Sequence, residues 1–284
     1  MRIAYQGEPG AFSEYAAFQL LGDDVMAVPK PTFELVYKAL EEGEVEKAVV
    51  PIENSLFGSV HINYDLLRKH AFRIVGEVKL RVVHNLLALP GVKIQDIQEV
   101  YSHWQALGQC QAFLRSHLPN AHRIDAYDTA GAAKVLAEGG YPKPEYSAAI
   151  ASKRAAEHYG LEILASGIES DHQNFTRFLV LQPEAHTVPQ WDPDAHMKTS
   201  VVFAHKEDLA GALFKSLAVF ALRDIDLLKI ESRPLVGSPW VYLFYLDIQG
   251  RETDEPVQKA LDHLSELTAY LKVLGSYPVG TTIE

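Results

Sequence analysis

Cysteine is nearly absent. Cys110 is the only one in 284 residues, so no disulfide can form within the chain, and a reducing compartment is expected. Its context, GQCQAFL, reads as the inward face of a helix rather than as a catalytic thiol. Long apolar runs are missing too: no window reaches the roughly 18 uninterrupted apolar residues that a membrane helix needs. The first residues, MRIAYQGEPG, hold no apolar stretch of the kind a secretory leader carries. Cytoplasmic residence and no membrane partner are therefore expected. Basic residues are outnumbered, 26 against 37 acidic ones, for a net charge of −11. A general nucleic-acid surface needs a basic stripe, which excludes that class of partner. An anionic substrate would have to be drawn in locally, by a few arginines and helix N-termini, against the overall field.

The signatures of several chemistries are also missing. There is no G-x-G-x-x-G or G-x-x-x-x-G-K-[ST] loop for a nucleotide, no H-E-x-x-H for zinc, and no G-x-S-x-G or S-x-x-K for acyl transfer. Twelve histidines are present, none at a metal-ligand spacing with the cysteine. Neither a metal nor a cofactor is expected.

What is present is a globular composition, 48% apolar and 22% charged, at a length that predicts two domains. Strand and helix patterns alternate through the first 180 residues. Short apolar runs at 2–5, 25–28 and 48–52 alternate with helical patterns at 12–21 and from Thr32 to Gly43, where Phe33, Val36, Tyr37 and Leu40 form one stripe. Runs at 74–83, 86–89, 100–101, 148–152, 163–165 and 178–181 continue the rhythm. Ser102 with Gln105 has the form of a capping box, and Asp128-Thr129 opens a helix to about Glu138. This βαβ order predicts a mostly parallel sheet covered by helices. Prolines 183, 189 and 193 mark a linker.

The last 87 residues read as strand 199–204, a helix capped by Asp208, strand 227–232, strand 240–248, helix 255–267 with Pro256 in its first turn, and strand 270–274. From Trp240 through Tyr242, Phe244, Leu246 and Ile248, apolar residues alternate strictly. The order βαββαβ is the split-βαβ, ferredoxin-like motif.

Three constellations carry chemistry. Gln6-Gly7-Glu8-Pro9-Gly10-Ala11 joins a strand to a helix; it is either an ordinary βα turn or a loop whose N–H groups face an anion. Pro51-Ile52-Glu53-Asn54-Ser55, with Gly58-Ser59 behind, follows a buried strand, where α/β sheets bind ligands. Asn54 and Ser55 would hydrogen-bond a carboxylate or merely cap the next helix; Glu53 suits a structural or proton-handling role. Asn174-Phe175-Thr176-Arg177-Phe178 offers a hydroxyl beside a guanidinium fork suited to a carboxylate, or a surface arginine at a strand start.

Taken together, GEPGAFSEYAA, PIENSLFGSV, SHWQALGQC, DTAGAA, AAIAS, NFTRF and KIESRP resemble, in order, the prephenate dehydratase family, over essentially the whole chain and in its single-activity form. The resemblance implies a catalytic region of two α/β lobes, like type II periplasmic binding proteins, over residues 1–182 (lobes 1–76 with 166–182, and 77–165). A linker at 183–197 and a βαββαβ ACT regulatory domain at 198–284 would follow. It implies that prephenate loses CO₂ and its ring hydroxyl to give phenylpyruvate, a step toward phenylalanine, with no cofactor.

By the same resemblance Thr176 is the catalytic hydroxyl. Arg177 holds one substrate carboxylate, and Asn54, Ser55, Ser102, Gln105 and Thr129 are candidates for the other, with Phe178 packing beside them. L-Phenylalanine would bind Gly211-Ala212-Leu213-Phe214 and Glu231-Ser232-Arg233-Pro234 at the interface of a homodimer or homotetramer. Ala210, Asp226, Leu228, Trp104 and His172-Gln173 depart from the usual family residues; the first three surround the effector segments and put the effector in question. Arogenate is an alternative substrate, its ammonium requiring a nearby carboxylate, and a two-lobed sensor without catalysis is the non-enzymatic alternative.

Overall fold

The computed structural model describes residues 1–205, 210–235, 237 and 241–284. Asp208, expected as a helix cap, and Trp240, expected in a strand, lie outside the described residues. The chain begins β1 (Arg2–Gln6), α1 (Phe12–Leu21), β2 (Met26–Lys30), α2 (Phe33–Glu41), β3 (Lys47–Asn54), β4 (Gly58–Ser59), α3 (His61–Lys69) and β5 (Phe72–Arg81). It continues β6 (Asn85–Ala88), β7 (Glu99–Ser102), α4 (Trp104–Gln109), α5 (Gln111–His117), β8 (His122–Asp125), α6 (Thr129–Ala137), β9 (Ser147–Ala151), α7 (Lys153–Tyr159), β10 (Glu162–Ser166) and β11 (Phe175–Pro183). It ends β12 (Met197–His205), α8 (Ala212–Ala221), β13 (Leu227–Pro234), β14 (Tyr242–Gln249), α9 (Glu255–Leu267), β15 (Thr268–Pro278) and β16 (Thr282–Ile283). None of the described helices is long and apolar enough to cross a membrane.

The chain forms two compact units, one of residues 1–63, 78–178 and 282–284, the other of 64–77 and 179–281. These differ from the boundaries the sequence suggested: residues 64–77 and 179–182 group with the C-terminal part, and the last three residues with the N-terminal part. Contacts within the second unit give the reason. Tyr64 stacks edge-on against Tyr245, 4.8 Å between ring centres, and its carbonyl accepts from the Tyr245 hydroxyl at 2.9 Å. Asp65 pairs with Arg233 at 2.6 Å.

The first unit is mixed α/β, and its strands β5 and β11 run on into residues of the second. One seven-stranded sheet has the order β16-β5-β11-β3-β1-β2, with β4 against β3. β1 pairs in parallel with both β2 and β3. The second sheet has the order β10-β6-β9-β7-β8. It is parallel around β7, but β6 runs antiparallel to β9 and β10. The βαβ rhythm therefore predicts the parallel centre and misses the reversed strands, whose direction is set by long-range pairing.

Local chemistry fixes the helix starts. Thr32 Oγ1 accepts from Leu35 N at 3.3 Å, and Ser152 Oγ from Ala155 N at 3.0 Å. Asp128 caps α6 through Gly131 N. Ser102 departs from its expected role: it ends β7, and its buried hydroxyl donates to Ile150 O at 2.6 Å. α4 begins after His103, with no side-chain cap. Ala130, Ala132, Ala133, Ala149, Ala151 and Ala155 pack in one core, their small size letting α6 and α7 lie close to the sheet. Cys110 is fully buried at the α4–α5 junction, and burial pushes its thiol pKa far up.

In the second unit the elements from β12 to β15 follow the order βαββαβ. Their sheet, β13-β14-β12-β15, is antiparallel throughout. Val201, Phe203, Leu246 and Ile248 meet Val219 and Phe220 of α8 and Val257, Ala260 and Leu264 of α9. The other face is buried as well, and there polar groups lie among Val202, Leu243 and Tyr245. Lys198 Nζ lies 2.7 Å from Glu77 Oε1 with both side chains inaccessible. Ser200 Oγ donates to Asp247 Oδ1 at 2.5 Å and contacts the Tyr277 hydroxyl at 2.6 Å.

Candidate functional site

The first unit contains a cavity of about 550 Å³. Its wall is built from the segment ends that an α/β sheet leaves open: Gln6 at the end of β1 and Gly7 behind it, Asn54 at the end of β3, His103 after β7, and Tyr127, Asp128 and Thr129 after β8. The starts of α1, α2 and α6 reach it through Ala11 and Phe12, through Thr32 and Phe33, and through Thr129. Each brings the backbone N–H groups of a first helical turn and the positive end of a helix dipole.

Gly10 makes the first loop possible. Its φ is +88°, and a Cβ there would sit 2.5 Å from Ala155 Cα, so only glycine fits against the start of α7. Ser152 Oγ donates to Gly10 O at 2.6 Å, and Glu14 Oε2 accepts from Gly10 N at 2.8 Å and from Arg154 Nε at 3.0 Å.

Thr176 and Phe178 line the cavity. Successive side chains of a strand point to opposite faces, so Arg177 between them does not. It is buried, with Nη1 3.9 Å from Glu53 Oε2. The expected role of Arg177 as a carboxylate clamp in this cavity is therefore corrected: its side chain stands on the other face of β11.

Asn54 is the fixed point of the site. Its Oδ1 accepts from Leu56 N and Phe57 N, both at 3.0 Å. That orients Nδ2 to donate to Asn174 Oδ1 at 2.9 Å and Thr176 Oγ1 at 3.0 Å. Ser55 lies off the cavity, where Oγ donates to Gln173 O at 2.7 Å and accepts from Phe175 N at 2.9 Å. It ties β11 to the β3 loop rather than offering a free donor. Ser102 is likewise off the cavity, while Gln105 and Thr129 line it.

Residues the sequence reading missed complete the wall. Gln109 is one helical turn beyond Gln105, so the i, i+4 relation could have marked it. His84 carries no sequence signal; it is 2% exposed, its Nε2 bonds Gln109 Oε1, and its Nδ1 is buried without a hydrogen-bond partner. Burial depresses its pKa against the opposing effects of Gln109 and Glu169. Burial depresses that of His103 too, opposed by Asp125 and Asp128. Among the described residues no cluster of three or more His, Cys, Asp or Glu could hold a metal.

The expected effector residues fall in the second unit. Gly211, in the left-handed region at φ +69°, caps α8, which starts at Ala212. Leu213 is 36% and Phe214 77% exposed. Glu231, Ser232, Arg233 and Pro234 end β13, the edge strand, where Lys229 Nζ lies 3.9 Å from Glu231 Oε2 and Arg233 is already paired with Asp65.

A family model for prephenate dehydratase matches residues 3–186. An arogenate dehydratase/prephenate dehydratase from Arabidopsis thaliana, named chloroplastic, is 48% identical over 292 residues, covering 100% of this chain and 74% of its own. A prephenate dehydratase from Arthrobacter aurescens, solved in complex with L-Phe, superposes with a TM-score of 0.89 at 32% identity, covering 98% of this chain and 90% of that one. A protein described as GqqA, a novel type of quorum quenching acylase, superposes with a TM-score of 0.87 at 33% identity over 99% of this chain and 98% of that one. The chloroplastic relative overturns the expected cytoplasmic residence. A lone cysteine excludes an intrachain disulfide, which does not identify a compartment.

Proposed function

Since the chain belongs to the prephenate dehydratase family, we propose that it catalyses a decarboxylating dehydration of the prephenate skeleton, with Thr176 at the departing hydroxyl. The keto acid prephenate gives phenylpyruvate, CO₂ and water; the amino acid arogenate gives phenylalanine by the same bond changes. Aromatisation supplies the driving force, and the costly event is departure of the ring oxygen.

The observation that carries this reading is Asn54 Nδ2 donating to Thr176 Oγ1 at 3.0 Å. With Asn54 as donor, the Thr176 hydroxyl is left to donate its own proton. A hydrogen bond from Oγ1 to the leaving oxygen stabilises charge as the carbon–oxygen bond breaks, and the leaving group departs as water once a proton is supplied. An oriented donor in a fixed network needs no reorganisation at that moment. The N-termini of α1, α2 and α6, with Thr129, Gln105 and Gln109, are assigned to the substrate carboxylates. Likeness to an acylase carries no acylase activity here, since a fold hosts many chemistries.

Residues 1–182 are assigned to catalysis, 183–197 to a linker and 198–284 to an ACT regulatory domain that binds L-phenylalanine. The βαββαβ order and the antiparallel sheet support that assignment, as does the L-Phe bound to the Arthrobacter relative. Gly211–Phe214 and Glu231–Pro234 are its proposed contacts, within a homodimer or homotetramer. The test is formation of phenylpyruvate from prephenate, and of phenylalanine from arogenate, with the prephenate reaction repeated in added phenylalanine. Turnover suppressed by phenylalanine supports both assignments. Turnover without suppression retains the enzyme and removes the effector; no turnover on either substrate removes the enzyme.

A further inference from the structure

The cavity is short of cations. Its charged lining residues are Glu34 and Asp128; among the described lining residues there is no lysine or arginine. His84 and His103 reach it, but burial favours the neutral form of each. Lys134, which feels the charge of Asp128, is bound to Glu8 at 3.1 Å and does not line the wall.

Asp128 is also unfinished. One carboxylate oxygen caps α6 through Gly131 N; the other is shielded from solvent and has no hydrogen-bond partner. That free oxygen sits under the loop after β1, 3.6 Å from where a Cβ on Gly7 would be. Nδ1 of His84, on the same cavity, is a second buried polar atom without a partner. Buried acceptors without donors are costly, and a ligand that brings N–H groups would satisfy them.

The two substrate forms differ in this respect. Prephenate carries two carboxylates and no cation. Its amino counterpart carries the same two carboxylates and an ammonium, with three N–H donors and one less net negative charge. Helix N-termini serve the carboxylates equally well in both, so the discriminating interaction is at the keto or ammonium position. We propose that Asp128 selects the amino-acid form of the substrate by accepting from its ammonium group, so that the chain prefers arogenate to prephenate. This rests on the dehydratase reading above. Burial, with the charge of Glu8 adding to it, pushes the Asp128 carboxyl pKa up against the lowering effects of Gly131 N, His103 and Ala130 N; an ammonium in contact holds it ionised.

Capping alone would not require a carboxylate, because Asn caps a helix as well as Asp does, and Ser nearly so. Asp128→Asn and Asp128→Ser therefore keep a capping oxygen and remove the charge. The experiment is kcat and KM of the full chain for arogenate and for prephenate, in the unsubstituted protein and both variants. The unsubstituted protein should favour arogenate by about tenfold or more in kcat/KM, equivalent to ~1.4 kcal/mol. Each variant should narrow that ratio by about tenfold, chiefly through a higher KM for arogenate. A preference for prephenate in the unsubstituted protein overturns the proposal while leaving the dehydratase in place. So does an equal loss on both substrates in whichever variants melt as the parent does. Turnover of neither substrate by the parent overturns the dehydratase reading and this proposal with it. Glu34→Gln, at the exposed rim, provides a comparison whose fold does not depend on the α6 cap; it should change the ratio less than either Asp128 variant, and a larger change would overturn the assignment to Asp128.

Discussion

Asn54 and Thr176, 122 positions apart in the chain, meet through a 3.0 Å hydrogen bond in which the amide donates to the hydroxyl. The amide has no freedom to choose otherwise, because Leu56 N and Phe57 N hold its oxygen. Asn54→Ala should therefore lower kcat by roughly 10²–10³, the scale of losing one preorganised donor, with a smaller change in KM. Thr176→Ala should abolish turnover while ligand binding by calorimetry persists. If Thr176→Ala turns over like the parent, the hydroxyl has no part in the chemistry.

Arg177 is predicted to act on the strand, not on the substrate. Its guanidinium is buried beside Glu53, on the face of β11 away from the cavity. Arg177→Met should lower the melting temperature and reduce kcat by loosening Thr176. A rise in KM of roughly tenfold, about 1.4 kcal/mol, with unchanged melting would return Arg177 to the role of carboxylate clamp.

The histidines give a pH dependence of definite sign. Burial depresses the pKa of His84, His103 and His205 in the folded chain. In the unfolded chain each titrates near about 6.5. Above that pH neither state binds the proton and the stability is whole. As pH falls below it, the unfolded state takes up protons that the folded state resists, and stability is lost. Urea unfolding at pH 7.5 and at pH 5.5 should show the decline, and His84→Gln should make it shallower. An equal decline in the variant would remove His84 from the account.

The pair of Lys198 and Glu77 in the second unit is buried on both sides, at 2.7 Å, with Glu77 also accepting from Gly280 N at 2.8 Å. Removing one partner leaves a buried charge, so Lys198→Met should cost about 3–5 kcal/mol in equilibrium unfolding. Lys198→Met with Glu77→Leu should recover much of that loss. A single variant as stable as the parent would mean that water reaches the remaining carboxylate.

The sequence by itself determined several of the helix starts. Periodicity and caps placed α2 behind Thr32, α6 behind Asp128 and α9 around Pro256, because a helix start is decided by side chains within three residues of it. Motif order identified the family, and the TRF segment pointed to Thr176, which does line the cavity.

Tertiary structure alone decided which neighbours those residues face. Alternation along β11 puts Thr176 in the cavity and Arg177 behind it, but which face is which depends on β3 lying alongside. Ser55 and Ser102 looked like donors until their backbone acceptors, Gln173 O and Ile150 O, were in place. Alternation in β14 announced one apolar face for α8 and α9; nothing local announced that residues 64–77 would bury the other, as Tyr64 and Glu77 do. His84 is an ordinary letter in the sequence, and Asp128 reads there only as a helix cap at the head of DTAGAA. Each acquires meaning through one unpartnered polar atom beside a cavity whose described lining residues include no lysine or arginine, a property that belongs to the surroundings and not to the residue.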